Sequence, residues 1–291
     1  MKLALGTAQF GMRYGIANKY GKVSREEVSK IIELCRENQI KFIDTAADYG
    51  ASEAILGEIG VEEFNVISKL PKLQVEKSLL KETIEKTVYE SLARMKINNL
   101  YAILLRYSES LLLPDIVEEL SQITKELMKN GAVNKLGVSV YSPKEALAIV
   151  EKYNDIGVIQ SPFSILDRRI LKNNFLGEIK KRNIEFHARS VFLQGLLLMN
   201  SNERPKKFDR WKSIWDRWDR FIEQNKLLRL RACVGYVKSK EQVDRIIIGV
   251  DSLKQLREII TAYREDYHYE APDDLCSEDI DLIHPYNWEN L

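Results

Sequence analysis

Phe42-Ile43-Asp44-Thr45-Ala46-Ala47-Asp48-Tyr49-Gly50, residues 42–50, decide the fold. A short apolar run enters, stops on an acidic residue, and gives way to a polar turn ahead of a helical stretch, Ser52 to Ile59. A second apolar run, Phe64-Asn65-Val66-Ile67-Ser68, follows at once. This is a strand–helix–strand unit, and the pattern repeats in both directions. Leu3 to Thr7 precedes it, with a helix over Ser24 to Gln39 that opens on Ser24, Glu26 and Glu27. After it come strands at Leu100–Leu105, Leu136–Val140, Val158–Gln160, Ile184–Ala188 and Ile246–Ile248. Helices are expected over Lys77–Lys96, Pro114–Asn130, Pro143–Tyr153, Ile170–Arg182 and Ser252–Tyr263. Pro143 suits a first helical turn, and Gly131 with Asn134 supplies stop signals.

Strands that are apolar on both faces belong to a parallel sheet covered by helices. Eight such units imply an α/β protein, a single closed (β/α)₈ TIM barrel occupying residues 1–291 as one domain. The length suits that architecture, which typically runs to ~250 residues with room for insertions. An open doubly wound sheet usually carries a GxGxxG turn, and none is present. Two segments break the rhythm: a long insertion between the seventh and eighth strands, residues 190–244, and a C-terminal tail, residues 271–291. The insertion is a candidate lid, and the tail can pack beside the barrel mouth or beneath it.

Composition removes several classes of function. Forty-four basic against forty-three acidic residues give a net charge of +1, which leaves no electrostatic footprint for a nucleic-acid partner. Cys35, Cys233 and Cys276 form no CxxC pair, so neither a disulfide framework nor a thiolate metal site is expected. His187, His268 and His284 are too scattered for a metal site, and His187 reads as a barrel residue. The opening MKLALGTAQFGMRYG lacks the apolar region of a signal peptide. No run approaches the ~18 apolar residues of a membrane span. A cytoplasmic location and no membrane partner are therefore expected. The spacing of Phe208, Trp211, Trp215, Trp218 and Phe221 is that of one helix face packed on the barrel, with carbohydrate stacking as the competing reading.

Barrel chemistry sits at the C-terminal strand ends. There the second, third and fourth strands present Asp44 with Tyr49, then Lys69, then Arg106. A carboxylate, a phenol and an amine at one rim form an acid–base set. A Lys ammonium within ~4–6 Å lowers the pKa of a Tyr hydroxyl, and a carboxylate holds that Lys in place. A salt bridge beside a surface Tyr is the plainer alternative.

FIDTAADYG followed by VISKL resembles the aldo-keto reductase superfamily, single barrels that reduce carbonyls with a nicotinamide cofactor. Further resemblances follow in order along nearly the whole chain: LALGTAQFG, LGVSVYS, VIQSPFSILDRR, ARSVFLQGLL and IIIGVDSLKQLRE. The resemblance implies an NAD(P)H-dependent oxidoreductase acting on an aldehyde, ketone or sugar carbonyl. Tyr49 is then the proton donor, tuned by Lys69 and Asp44. Ser139 and Gln160 would meet the nicotinamide carboxamide, with Gly6 and Thr7 also beside the cofactor. Ser190, Phe192, Leu193 and Gly195 would border the pyrophosphate, and Gly249, Ser252 and Gln255 the adenosine end. No metal is implied. The opening GTAQFGMRYGIANKYG and the tail's HPYNW resemble bacterial members of surface-polysaccharide pathways, which implies a sugar-derived substrate.

Two positions depart from the family pattern. Arg106 stands where the superfamily usually has His at the end of strand four; an Arg stays charged and can clamp an anionic substrate. Asp251 stands near the expected 2′-phosphate of NADP, which it would repel; alternatively Asp251 or Ser252 caps the eighth helix and Lys254 or Arg257 meets the phosphate, so the choice of NADP or NAD stays open. A Schiff-base lyase using Lys69 and a non-catalytic nucleotide-binding barrel are the other functional readings. Oligomeric state is not readable at this level.

Overall fold

The structure is a computed structural model describing residues 1–73 and 76–291. In chain order its strands and α-helices are β1 (Leu3–Gly6), α1 (Ala8–Gly11), α2 (Arg25–Glu37), β2 (Phe42–Asp44), α3 (Ser52–Ile59), β3 (Asn65–Lys69), α4 (Lys77–Met95), β4 (Ala102–Arg106), α5 (Pro114–Lys129), β5 (Leu136–Ser139), α6 (Pro143–Lys152), β6 (Ile156–Pro162), α7 (Phe175–Lys181), β7 (Glu185–Arg189), α8 (Lys212–Gln224), α9 (Arg229–Lys238), β8 (Arg245–Gly249), α10 (Leu253–Arg264) and α11 (Ile280–Ile283). The eight strands close in sequence order, β8 pairing with β1, and every pairing is parallel. The expected (β/α)₈ barrel is therefore the observed one.

Closure forces alternate residues of each strand inward. Ala4, Phe42, Ile67, Ala102, Leu104, Val158 and Ile247 form one buried apolar cluster. A second cluster runs from Leu3 to Trp288 and joins the strands to the helices. Two residues further along the strands, the same inward face reaches the rim at Gly6, Asp44, Lys69, Arg106, Gln160 and Gly249. Register supports this level: Gly6 pairs with Asp44 and Gly249, and Arg106 with Ser139, which pairs in turn with Gln160. The period-two pattern thus turns six separate strand ends into one site.

Sequence signals set several helix starts. Ser24 accepts the Glu27 N–H, Ser142 the Glu145 N–H and Ser252 the Gln255 N–H, and Pro143 opens α6. The expected helix over Ile170–Arg182 is shorter than its apolar pattern suggests. Asn173 and Asn174 take left-handed conformations, so a 3₁₀ segment at Arg169–Asn174 precedes α7.

The 190–244 segment is not one insertion. Its last helix, α9, packs on α10 and completes the helical ring for the seventh unit. The true excursion is the 3₁₀ turns and α8. Its aromatic stripe is fully packed, with Phe208 and Trp218 at 0% exposure, so carbohydrate stacking on those rings does not occur. The tail meets this excursion. Trp211 Nε1 donates to Asp279 Oδ2 at 2.8 Å, Arg210 pairs with Asp281, and Phe208 and Trp288 meet edge-on at 5.0 Å. His187 is buried inside the barrel against Glu185, as a barrel residue.

Candidate active site

A cleft of about 380 Å³ opens at the C-terminal rim, running from the β2–β4 ends to the β8 end. Its centre is an ion pair. Lys69 Nζ donates to Asp44 Oδ1 at 2.5 Å and to Thr45 O at 2.8 Å, with Lys69 3% and Asp44 4% exposed. Asp44 Oδ2 accepts from Gln160 Nε2 at 2.7 Å. Both carboxylate oxygens are thereby satisfied, which a charge at this depth requires.

Tyr49 stands over this pair, with Lys69 Nζ 5.3 Å from its ring centroid. Its placement comes from a tight turn: Tyr49 N–H donates to Ala46 O, Ser52 N–H to Tyr49 O, and Ala47 N–H to Lys69 O. Gly11 makes the turn possible. A Cβ there would sit 1.6 Å from the Tyr49 carbonyl oxygen, so only glycine lets α1 lie against the Tyr49 loop.

Electrostatics at the phenol differ from the sequence expectation. Burial, and next the charge of Asp44, push the Tyr49 hydroxyl above its ordinary value, against the pull of Arg106 and Arg189. The expected lowering by Lys69 is not seen, because Asp44 already neutralises that ammonium at 2.5 Å. Burial in turn holds the Lys69 amine below its usual range, with Asp44 opposing.

Arg106 is the last residue of β4 and lines the cleft, so it occupies the strand position inferred for it. It does not clamp freely. Its guanidinium pairs with Asp48, and its Nε donates to Leu70 O at 3.2 Å.

Most of the remaining expected residues also line the cleft. Gly6, Thr7, Ser139 and Gln160 lie toward its centre, and Ser190, Phe192, Gly195, Gly249 and Gln255 along its β7–β8 side. Two do not. Leu193 turns into the core at 1% exposure, and Ser252 spends its hydroxyl as the N-cap of α10. Of the readings offered for the β8 end, capping thus falls to Ser252. Asp251 instead accepts from Asn18 Nδ2 at 2.9 Å, tying the β1 loop to the β8 end. Burial raises the Asp251 carboxyl.

Sequence reasoning missed Tyr14, Asn18, Tyr141, Arg189 and Tyr286, which line the same cleft. Arg189 was legible, since it ends β7 next to Ser190. Tyr286 was not, because only tertiary packing brings the tail to the mouth, where its ring meets Tyr141 at 5.4 Å. Gly195 carries a φ of +89°, and a Cβ there would meet the Ala17 Cβ at 2.4 Å. The β1 and β7 loops therefore touch across the cleft, and Ala17 N–H donates to Gln194 O.

Among the described residues no group of His, Cys, Asp and Glu is arranged to hold a metal ion, and no helix is long and apolar enough to cross a membrane.

A parallel barrel with buried acid–base groups gathered at its C-terminal rim is the architecture of a (β/α)₈ enzyme. The sequence profile described as the Aldo/keto reductase family matches residues 2–271. The chain belongs to that family and is an NAD(P)-dependent oxidoreductase. Solved structures share the fold at low identity. The aldo-keto reductase AKR11C1 from Bacillus halodurans, in its holo form, is 18% identical with a TM-score of 0.70, covering 92% of this chain and 88% of that one. A thermostable aldo-keto reductase, Tm1743, solved with the inhibitor epalrestat, is 17% identical with a TM-score of 0.72, covering 94% of each chain. No curated protein matches the sequence.

Proposed function

We propose that this chain reduces an aldehyde or ketone with NADH, Tyr49 protonating the carbonyl oxygen. The observation that carries this reading is the Gln160 side chain. Its Nε2 is fixed on Asp44 Oδ2, since the opposite amide orientation would set oxygen against a carboxylate. Its Oε1 is then a buried acceptor without a partner, on a residue lining the cleft. A carboxamide N–H donor satisfies it, and Ser139 stands beside it in register. The nicotinamide amide carries such a donor.

When bound, the reduced nicotinamide supplies the hydride to the carbonyl carbon. Tyr49 Oη gives its proton to the oxygen, so carbonyl plus hydride plus proton balances to the alcohol. Lys69 and Asp44 hold the floor beneath the phenol as a buried ion pair. The Schiff-base reading asks for a free amine at Lys69; the bonds to Asp44 and Thr45 O hold that nitrogen instead as a donor.

The β8 end supports NADH over NADPH. At the start of α10, the Leu253 N–H donates to Glu27 Oε1 at 2.7 Å and the Gln255 N–H to Ser252 Oγ at 3.3 Å. A helix N-terminus is where a phosphate would bind, and here a carboxylate already occupies it. Asp251 and Glu258 line the cleft nearby. The cations lining it, Lys69, Arg106 and Arg189, belong to other strands. An added 2′-phosphate therefore meets like charge, worth at least about tenfold in affinity. Titration of tryptophan emission should show NADH binding tighter than NADPH, with Glu27→Gln plus Asp251→Asn narrowing the ratio. Tighter NADPH binding would overturn the preference; no binding of either at millimolar concentration would overturn the reductase reading.

A further inference from the structure

Three cations line the cleft, and two of them are paired with carboxylates. Lys69 is paired with Asp44, and Arg106 with Asp48. Arg189 has no carboxylate partner among the described residues. Its Nη2 donates to Val140 O at 2.9 Å and its Nη1 to Ser190 Oγ at 3.3 Å, which uses two of five N–H groups.

From this we infer that the carbonyl substrate carries a carboxylate, and that Arg189 binds it. The inference rests on the reductase reading and moves anion recognition from Arg106 to Arg189. Two features make the guanidinium a receptor. It is held rigid, its Cζ 4.3 Å above the Tyr141 ring, while that ring is backed by Tyr286 at 5.4 Å and His284 at 4.9 Å. A fork fixed before binding loses little entropy when it accepts a planar anion. It is also aimed away from the β8 end. The guanidinium starts on β7 but bonds the carbonyl that follows β5, across the mouth from Asp251 and Gln255. Its field reaches Tyr49 and Lys69. A ligand anion at Arg189 therefore lies on the side of the proton donor, whereas the adenosine end lies elsewhere. One uncompensated cation matches a monoanion, hence a carboxylate over a phosphate ester.

The test compares 4-carboxybenzaldehyde with its uncharged analogue methyl 4-formylbenzoate, in the wild type and in Arg189→Met. The wild type should favour the acid in kcat/KM by ~30-fold or more, and the substitution should lower the acid's kcat/KM at least ~30-fold more than the ester's. A second arm needs no turnover. With the oxidised cofactor saturating, benzoate should raise the Tm of the wild type but not of Arg189→Met, and benzamide should raise neither. Equal use of acid and ester, or no response to benzoate, overturns the proposal. It is likewise overturned if Arg189→Met weakens NADH binding as much as it weakens the acid's kcat/KM, which would make Arg189 a cofactor anchor. Cofactor binding and a benzoate response without turnover of either aldehyde would keep the carboxylate site and sink the reductase reading. Should Arg189→Met fail to fold, the wild-type ratio and the benzoate response decide alone.

Discussion

Replacing Tyr49 with Phe is expected to lower kcat for carbonyl reduction by about 10²- to 10⁴-fold, with NADH affinity within about twofold of the wild type. Of Asp44, Tyr49, Lys69 and Arg106, the phenol is the acid that no ion pair commits. Lys69 is tied to Asp44 and Thr45 O, and Arg106 is paired with Asp48 and does not give up a proton in a working pH range. The direction of the Tyr49 shift fixes the pH dependence. Burial and Asp44 raise its pKa, so the hydroxyl holds its proton through neutrality and into the alkaline range. An acid with a raised pKa is lost only above that value. The kcat/KM for reduction should therefore stay level from pH 7 to about 9 and fall only above the ordinary tyrosine value of ~10. Steady-state oxidation of NADH against a simple aldehyde reads both effects. Activity of Tyr49→Phe within a few-fold of the wild type would remove the phenol from the mechanism; a fall in kcat/KM already near pH 8 would contradict the direction of the shift.

Arg106 bears on the same geometry. Its Cζ is 5.9 Å from the Tyr49 ring centroid, and Asp48 holds it there. Asp48 offsets only part of the Arg106 charge felt at the phenol. That leaves Arg189 as the cation lining the cleft that has no carboxylate partner among the described residues.

The barrel was legible because its evidence is local. Each strand is an apolar run such as Leu100–Leu105 or Ile246–Ile248, and the residue that follows these two runs, Arg106 or Gly249, reaches the rim. Asp44, Lys69 and Ser139 end their strands, Gln160 lies two residues from the end of its own, and Tyr49 follows β2 in the adjoining turn, so reading them needed no tertiary information. What escaped depends on contacts between distant parts of the chain. α9 hides in the 190–244 segment because Ala232 to Val237 are buried almost without interruption, leaving no polar face to mark a helix. The capture of the α10 N-terminus by Glu27 joins residues 226 positions apart. The tail's place at the mouth depends on Trp211, Phe208 and Tyr141 meeting Asp279, Trp288 and Tyr286. The sign of the Tyr49 shift escaped for the same reason. Sequence shows that a Lys and a Tyr share a rim, but only the 2.5 Å contact to Asp44 shows the ammonium to be already neutralised.

That contact carries the second large effect. Asp44→Asn keeps the size and one acceptor but leaves the Lys69 ammonium, 3% exposed, without its counter-charge. Breaking a buried pair on one side costs about 3–5 kcal/mol, which corresponds to a Tm lowered by roughly 5–15 °C. Removing the charge from the other side as well should recover part of that loss: Asp44→Asn with Lys69→Met deletes the stranded ammonium, so the double variant should melt above Asp44→Asn alone. Activity should not follow stability. In the double variant nothing positions the floor beneath Tyr49, and Gln160 Nε2 loses its charged acceptor, so the amide proposed to meet the nicotinamide is freed to turn. Calorimetry and kinetics on the same samples separate the two. Recovery of Tm with kcat still depressed assigns the pair to the chemistry; recovery of both would reduce Lys69 and Asp44 to the plain salt bridge that the sequence alone also permits.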